Sequence, residues 1–455
     1  MSFPRRAVCR PSTGCRNGFA CQPASSAQDT RCDYFIVNRF NARLIERFPA
    51  LASRDFVIFV IGQLVSVIGT WAQATALPYL AYRMSGRPFD LGLIGFANTL
   101  PTLLFALPAG VLVERWDKRK TVILFQSIMS LQAFGLAYLA YANRIEVWHI
   151  IALAFFYGSA VSIEVTARQS MLIELAGREA LPSAIALQTT AFNVGRVIGP
   201  LIAAWLIATS GNEGSVFLAN GISFVFVVIG LFLSRTRFKV EQEAPEERHL
   251  RREFKEGVEY IRSNVVVLSV ILMATLVGFF GIPLTQQIPA VARDVLQTIA
   301  DTEAVVAERT SNLYAVQGVG ALIAALLAAY LATANKPKML LLGQTAFVFP
   351  IIALGFVRDA SLAMLLLTFV GWGTVTQLVS MNTMIQVDVP NGLRGRVFSV
   401  YFWALQGVAP FGSIVIGWMA QTWDVPTTII AGGVICLVGI LAIRLKFREV
   451  HNSPG

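Results

Sequence analysis

The sequence predicts an all-α polytopic membrane protein of about twelve transmembrane helices in two six-helix halves. Three observations carry this. The 455 residues are 55% hydrophobic and only 14% charged, with a mean hydropathy of +0.62, whereas soluble domains carry roughly 25% charge. Apolar runs of about 20 residues recur along the chain, each long enough to cross a hydrocarbon layer about 30 Å thick. One long charged joint, 234–263, divides those runs into two groups. Lipid offers the backbone no hydrogen bonds, and these Leu-, Ala-, Gly- and Phe-rich runs lack the alternation of barrel strands, so they read as helices.

In chain order, residues 1–50 come first. They hold no apolar core and no secretory signal, and read as a disordered tail. Its Cys9, Cys15, Cys21 and Cys32 lack the close pairs of a structural zinc site. The segment "NARLIERFPALASRDF" leads amphipathically into the first span. The spans fall near 55–83, 91–113, 120–142, 147–170, 182–209, 215–234, 264–292, 310–333, 337–357, 360–385, 394–421 and 425–446. Within the central joint, "EFKEGVEYI" has the pattern of a helix lying on the membrane surface. The expected division is a 1–50 tail, a 51–234 half, a 235–263 loop, a 264–446 half and a 447–455 tail.

Loop charge sets the expected orientation. Alternate joints collect Lys and Arg: Arg115 to Lys120, Arg168 and Arg178, Arg235 to Arg262, Lys336 and Lys338, Arg394 and Arg396, then Arg444 to Arg448. The other joints hold little beyond Arg87, Arg144, Arg309 and Arg358. Both termini and the basic joints are therefore expected in the cytoplasm. The net charge of +10 follows from this bias and calls for no nucleic-acid partner. The halves also echo each other at an offset of about 210 residues, as parallel repeats do. "LPYLAYR" resembles "IPAVARD", with Pro78 and Pro289 in like places. "VIGPLIAAWLIA" resembles "GVAPFGSIVIGWMA", with Pro200 matching Pro410.

Charges embedded in apolar spans are costly and mark function. Arg196 lies about ten residues into the fifth span and should face the bundle interior. Glu164, in the fourth span, is the acid most clearly inside a span, one turn from Arg168. Two arrangements are open: a closed Glu164–Arg168 pair, or a Glu164–Arg196 contact lining a cavity and able to exchange a proton. Polar and aromatic side chains that could line such a cavity are Gln63, Thr70, Trp71 and Gln73, then Gln286 and Gln287, then Trp372, Gln377 and Asn382. Amides and aromatics suit a bulky, partly apolar solute. The three histidines lie near ends or loops, so neither a metal site nor a histidine relay is expected, and without a phosphate-binding glycine loop ATP is not the energy source.

The joint "GVLVERWDKRK" between the second and third spans, with the two groups of spans and the charged central loop, resembles the major facilitator superfamily. That family's loop motif is Gly-x-Leu-Ala-Asp-Arg-x-Gly-Arg-Arg. Gly110, Leu112, Arg115, Lys118 and Arg119 fit it; Glu114 stands for the Asp and Asp117 for the second Gly. "IGTWAQATALPYLAYRMSG", "TARQSMLIELAGREALPSAIALQTTAFNVGRVIGP" and "NTMIQVDVPNGLRGRVFSVYFWALQGVAPFGS" are similar to the branch of enterobactin-exporter-like and macrolide-efflux-like carriers, over roughly residues 50–446. The resemblance implies that Glu114 latches the halves on the cytoplasmic side, with Arg394 or Arg396 as its partner; a simple basic anchor is the alternative. Gly195, Gly199 and Pro200 fit the family's antiporter signature, although Ala186, Ala203 and Ala204 replace three of its glycines. It also implies a monomeric, cofactor-free secondary transporter of the bacterial inner membrane, no enzyme, that exports a siderophore, drug or metabolite in exchange for protons. An importer or uniporter of the same fold is the rival. A non-transporting sensor or assembly protein is disfavoured, because it would not keep the loop motif and the embedded charges.

Overall fold

A computed structural model of the chain describes residues 45–234, 236, 250–298, 301–330 and 335–447, without the side chains of 106–108, 110–112, 114–115, 250–254 and 329. The expectations for the cysteine-bearing tail and for 448–455 lie outside the described residues. The first half is α1 Arg54–Ser85, α2 Pro88–Arg115, α3 Lys118–Tyr141, α4 Val147–Ala176, α5 Leu181–Ser210 and α6 Gly214–Leu233. A short helix, α7 Leu250–Ser263, follows; its polar and apolar residues segregate to opposite faces. The second half is α8 Val265–Val295, α9 Glu303–Tyr330, α10 Lys336–Leu354, α11 Ala360–Asp388, α12 Asn391–Thr422 and α13 Val425–Lys446. Eleven of these helices are long and apolar enough to cross a membrane by their described residues. The twelfth, α2, runs for 28 residues between two of them.

Short polar caps start several helices where the apolar runs begin. Asp117 accepts the Lys120 backbone N–H at 3.0 Å and opens α3. Asn335 accepts the Lys338 N–H at 3.1 Å and opens α10, the counterpart of α3 in the other half. Each satisfies an N–H that the first helical turn leaves without a partner. Asp117, which departs from the family loop pattern, thus has a local job as an N-cap.

The repeat read from the sequence appears as a repeated helix crossing. At Gly199, α5 crosses α1 so closely that a Cβ would stand 2.8 Å from the Ile68 carbonyl oxygen. At Gly412, α12 crosses α8 against the Phe279 carbonyl. The two crossings keep the offset of about 210 residues and use small residues, the usual means of helix approach in lipid. The halves differ in regularity. Helix α8 is not continuous: it passes through π-helical turns at Val277–Gly281 and Val291–Val295, with Pro283 and Pro289 nearby. Helix α12 has one at Trp403–Gly407. Their counterparts α1 and α5 are α-helical throughout despite Pro78 and Pro200.

At one end of the bundle, the end bearing the joint between α1 and α2, the two halves interlock. Gly92 of α2 faces Gly417 of α12, and a Cβ on Gly417 would meet the Gly92 Cα at 2.9 Å. Val306 and Ala307 of α9 are buried in the apolar cluster around Leu80 and Phe217 of the first half. Tyr82 and Leu91 are buried in the second half's cluster around Leu284 and Ile416.

Candidate functional site: the cavity between the halves

A cavity of about 420 Å³ lies between the halves, beneath the interlocked end. Helix α1 contributes Thr70, Trp71 and Gln73; α2 contributes Asn98 and Thr99; α8 contributes Thr285 and Gln286. Leu77, Leu91, Ile94, Tyr157, Tyr314 and Phe347 make most of the remaining wall apolar and aromatic. Arg196 of α5 is the one charged residue among the described lining residues. Its guanidinium carbon stands 5.4 Å from the centre of the Trp71 ring, a cation–π contact. Trp71 is braced in turn by Phe192, whose ring meets it edge-on at 5.4 Å.

The structure pairs Glu164 with Arg168. Arg168 Nε donates to the two carboxylate oxygens at 3.0 and 3.3 Å, and Gln126 Nε2 donates to one of them at 2.9 Å. Glu164 is buried, 3% exposed, so charge-assisted hydrogen bonds of this kind are what make its burial tolerable. The Arg196 side chain makes no hydrogen bond or ion pair with any described residue, and its contact is the Trp71 ring. Of the two arrangements open in the sequence, the local pair is the one present in this conformation, and Arg196 faces the cavity without an acid.

Of the amides and aromatics singled out by sequence, Thr70, Trp71, Gln73 and Gln286 line the cavity. Gln73 is held in place: its Nε2 donates to Gln132 Oε1 at 3.3 Å, and its Oε1 accepts from Asn220 Nδ2 at 2.9 Å. Gln63, Gln287 and Gln377 are buried away from the described lining, and Trp372 and Asn382 also lie outside it. Gln377 sits against the α10 backbone at Gly343. Sequence reasoning passed over Tyr314 and Gln317 of α9, which both line the cavity. Their spacing of three residues, which puts them on one helix face, was the available signal.

The latch motif is only partly described. The side chains of Gly110, Leu112, Glu114 and Arg115 lie outside the described residues. Lys118 Nζ bonds Glu174 at 2.7 Å and Arg119 donates to the Phe232 carbonyl at 3.2 Å, both within the first half. Arg394 donates to the Gln386 carbonyl at 2.8 Å, and Arg396 pairs with Glu256 of the surface helix α7, both within the second half. Gly257 of α7 lies so close to α12 that a Cβ would stand 3.1 Å from the Arg396 carbonyl oxygen. Gly195 and Gly199 let α5 approach α1 at Val67 and Ile68, and Pro200 follows them, buried.

Polar contacts between the halves stand at the interlocked end. The Tyr79 hydroxyl donates to the Glu303 carbonyl at 2.9 Å. The buried Tyr82 hydroxyl donates to the Asp294 carboxylate. Glu303 also pairs with Arg293, which ties the α8–α9 corner to the same contact. Sequence reasoning gave Asp294 no part in such a clasp, because neither tyrosine signals a partner more than 200 residues away.

Comparisons with known proteins agree with this architecture. The profile of the family described as "Transmembrane secretion effector" matches residues 46–453. The enterobactin exporter EntS of Escherichia coli O1:K1 is 24% identical over 421 residues, which is 91% of this chain and 96% of the relative. EntS of Shigella boydii serotype 18 matches to the same extent, 24% identical over 421 residues. Among solved structures, the nucleoside transporter NupG superposes with a TM-score of 0.67 at 12% identity, covering 88% of this chain and 100% of that one. A bacterial homologue of the human lysosomal transporter Spinster, in an inward-facing and unoccupied conformation, superposes with a TM-score of 0.64 at 14% identity, covering 88% of this chain and 98% of that one. The twelve-helix fold, the cavity between its halves and a family match over nearly the whole chain identify this multi-pass membrane protein as a transporter: it belongs to the transmembrane secretion effector family, in the enterobactin-exporter-like branch of the major facilitator superfamily.

Proposed function

We propose that the protein exports a bulky organic solute from the cytoplasm by alternating access, driven by the proton gradient across a bacterial inner membrane. The observation that carries this is the cavity between the halves, sealed at one end by the Gly92–Gly417 crossing and the two tyrosine clasps. The Lys and Arg bias of the joints supports an orientation with that sealed end outside and both termini inside. The structure then corresponds to a carrier closed to the exterior, with its cavity set to load from the cytoplasm. The EntS relatives are named as exporters, which supports the outward direction.

Proton coupling needs a carboxyl group that can change charge inside the bundle. Glu164 is the candidate: it is buried in α4, where Arg168 and Gln126 donate to its carboxylate in this conformation. The latch reading stays with Glu114, which would compete with Glu256 for Arg396 when the cytoplasmic ends of the halves meet.

The test is solute accumulation in everted membrane vesicles energised by respiration, with and without a protonophore. Uptake of a solute only in vesicles containing the protein, abolished by the protonophore, is the expected result. Uptake that survives the protonophore would leave a uniporter. Entry that requires right-side-out vesicles would make the protein an importer.

A further inference from the structure

The reading of the protein as an exporter leaves its cargo open, and the cavity carries information on that point. Arg196 is a fixed cation in a wall otherwise built of amides, hydroxyls and rings, and no Asp or Glu stands among the described lining residues. A guanidinium has five N–H donors, and here none of them meets a described protein acceptor. A charge held this deep without a counter-ion is expensive unless something supplies one. Two further polar atoms of lining residues are also buried without protein partners: Gln132 Nε2, a donor, and Gln286 Oε1, an acceptor. The lining also holds four aromatic rings: Trp71, packed against the Arg196 guanidinium, and Tyr157, Tyr314 and Phe347.

We propose that the cavity selects an organic anion: a solute with an acid group on a planar, largely apolar body. Arg196 receives the acid group in the forked geometry that guanidinium offers to carboxylate-like oxygens. The rings hold the body. A solute with a fixed positive charge is rejected, because it would meet Arg196 with no carboxylate to offset it.

The position of Arg196 links the cargo to the moving parts. Its backbone stands where α5 of the first half crosses α9 of the second: a Cβ on Gly318 would be 2.6 Å from the Arg196 carbonyl oxygen. An anion seated on the guanidinium therefore binds at the contact between the halves.

The assignment rests on the transporter reading, and the experiment separates the two. Protein in lipid nanodiscs is equilibrated by dialysis with radiolabelled naphthoate, neutral naphthamide or cationic naphthylmethylammonium, with empty nanodiscs as the blank. Naphthoate is expected to bind about 10-fold or more tightly than naphthamide, the scale of one hydrogen-bonded charge contact. Naphthylmethylammonium is expected to bind no better than the blank. Arg196→Gln should bring naphthoate down to the level of naphthamide, while Arg196→Lys keeps part of the preference. Trp71→Leu, which leaves the cation in place, should weaken both probes and preserve their ratio. Equal or tighter binding of naphthamide or naphthylmethylammonium by the wild-type protein overturns the proposal, whatever the variants do. So does a naphthoate preference that survives Arg196→Gln, or failure of all three probes to bind. Vesicles that export a neutral or cationic solute would leave the transporter reading standing while this one falls.

Discussion

Glu164 and Arg196 share an interior, yet the structure gives them different companions. Glu164 is closed by Arg168 and Gln126; Arg196 is left to the cavity and Trp71. Glu164→Gln is therefore expected to reduce protonophore-sensitive transport to the level of protonophore-treated vesicles, while binding of solute without energy is unchanged. Normal gradient-driven transport by that variant would remove the proton-carrying role and leave Glu164 a structural partner of Arg168. Arg168→Gln leaves the buried carboxylate with Gln126 as its remaining described partner, and a destabilisation of about 3–5 kcal/mol is expected from breaking a buried pair. At this scale the sequence was informative about which charges are embedded, because an ionised group within an apolar run stands out. It was poor on which partner each takes. Glu164 and Arg168 are one turn apart, and spacing alone fits the local pair and a cavity contact equally well. The amides show the same limit: Gln73 lines the cavity and Gln63 does not, though both lie in α1. The spans are apolar on every side, so hydrophobic pattern does not report which way a helix is turned.

Closure between the halves is a property of helices. The Gly92–Gly417 crossing leaves no room for a side chain between α2 and α12. Gly92→Leu forces those helices apart at an overpacking cost of about 1–3 kcal/mol to the closed-outside state. The variant should populate the outward-open form, seen as faster labelling from outside of a cysteine placed at Thr285, in the cavity wall. An unchanged labelling rate would show that this crossing does not set the gate. Tyr82→Phe tests the polar clasp at the same end. It removes the hydrogen bond to Asp294, a contact to a charged group worth about 1.5–3 kcal/mol, and so should shift the same labelling in the same direction. At the end of the bundle opposite the interlock, cytoplasmic in the proposed orientation, α7 engages α12 through Glu256 and Arg396. Glu256→Gln frees Arg396 and should favour closure of that side. A spin-label distance across the cytoplasmic mouth should shorten in the variant; an unchanged distance would make α7 a passive surface helix.

For the whole molecule, the number and order of spans were legible because a bilayer fixes the length of a crossing segment, and runs of that length are hard to mistake. The repeat was legible through Pro200 and Pro410, and its physical content is the Gly199 and Gly412 crossings beside them. What the sequence did not disclose was the interruption of α8 and α12. A π-turn inserts one residue without altering composition, so nothing in an apolar run announces it. The topology has its own test: a cysteine in the 336–338 joint should resist a membrane-impermeant reagent added outside, and one in the 422–426 joint should react; the reverse pattern would invert the protein. The π-turns also divide the molecule mechanically. Residues 54–85 and 181–210 form unbroken rods across the first half, whereas their counterparts in the second carry joints at Val277–Gly281, Val291–Val295 and Trp403–Gly407. A rod transmits tilt from end to end, and a jointed helix can bend at mid-membrane while its ends stay seated. The second half is then the compliant partner, so amide hydrogens around Phe279 and Leu405 should exchange faster than those at the matching positions of α1 and α5.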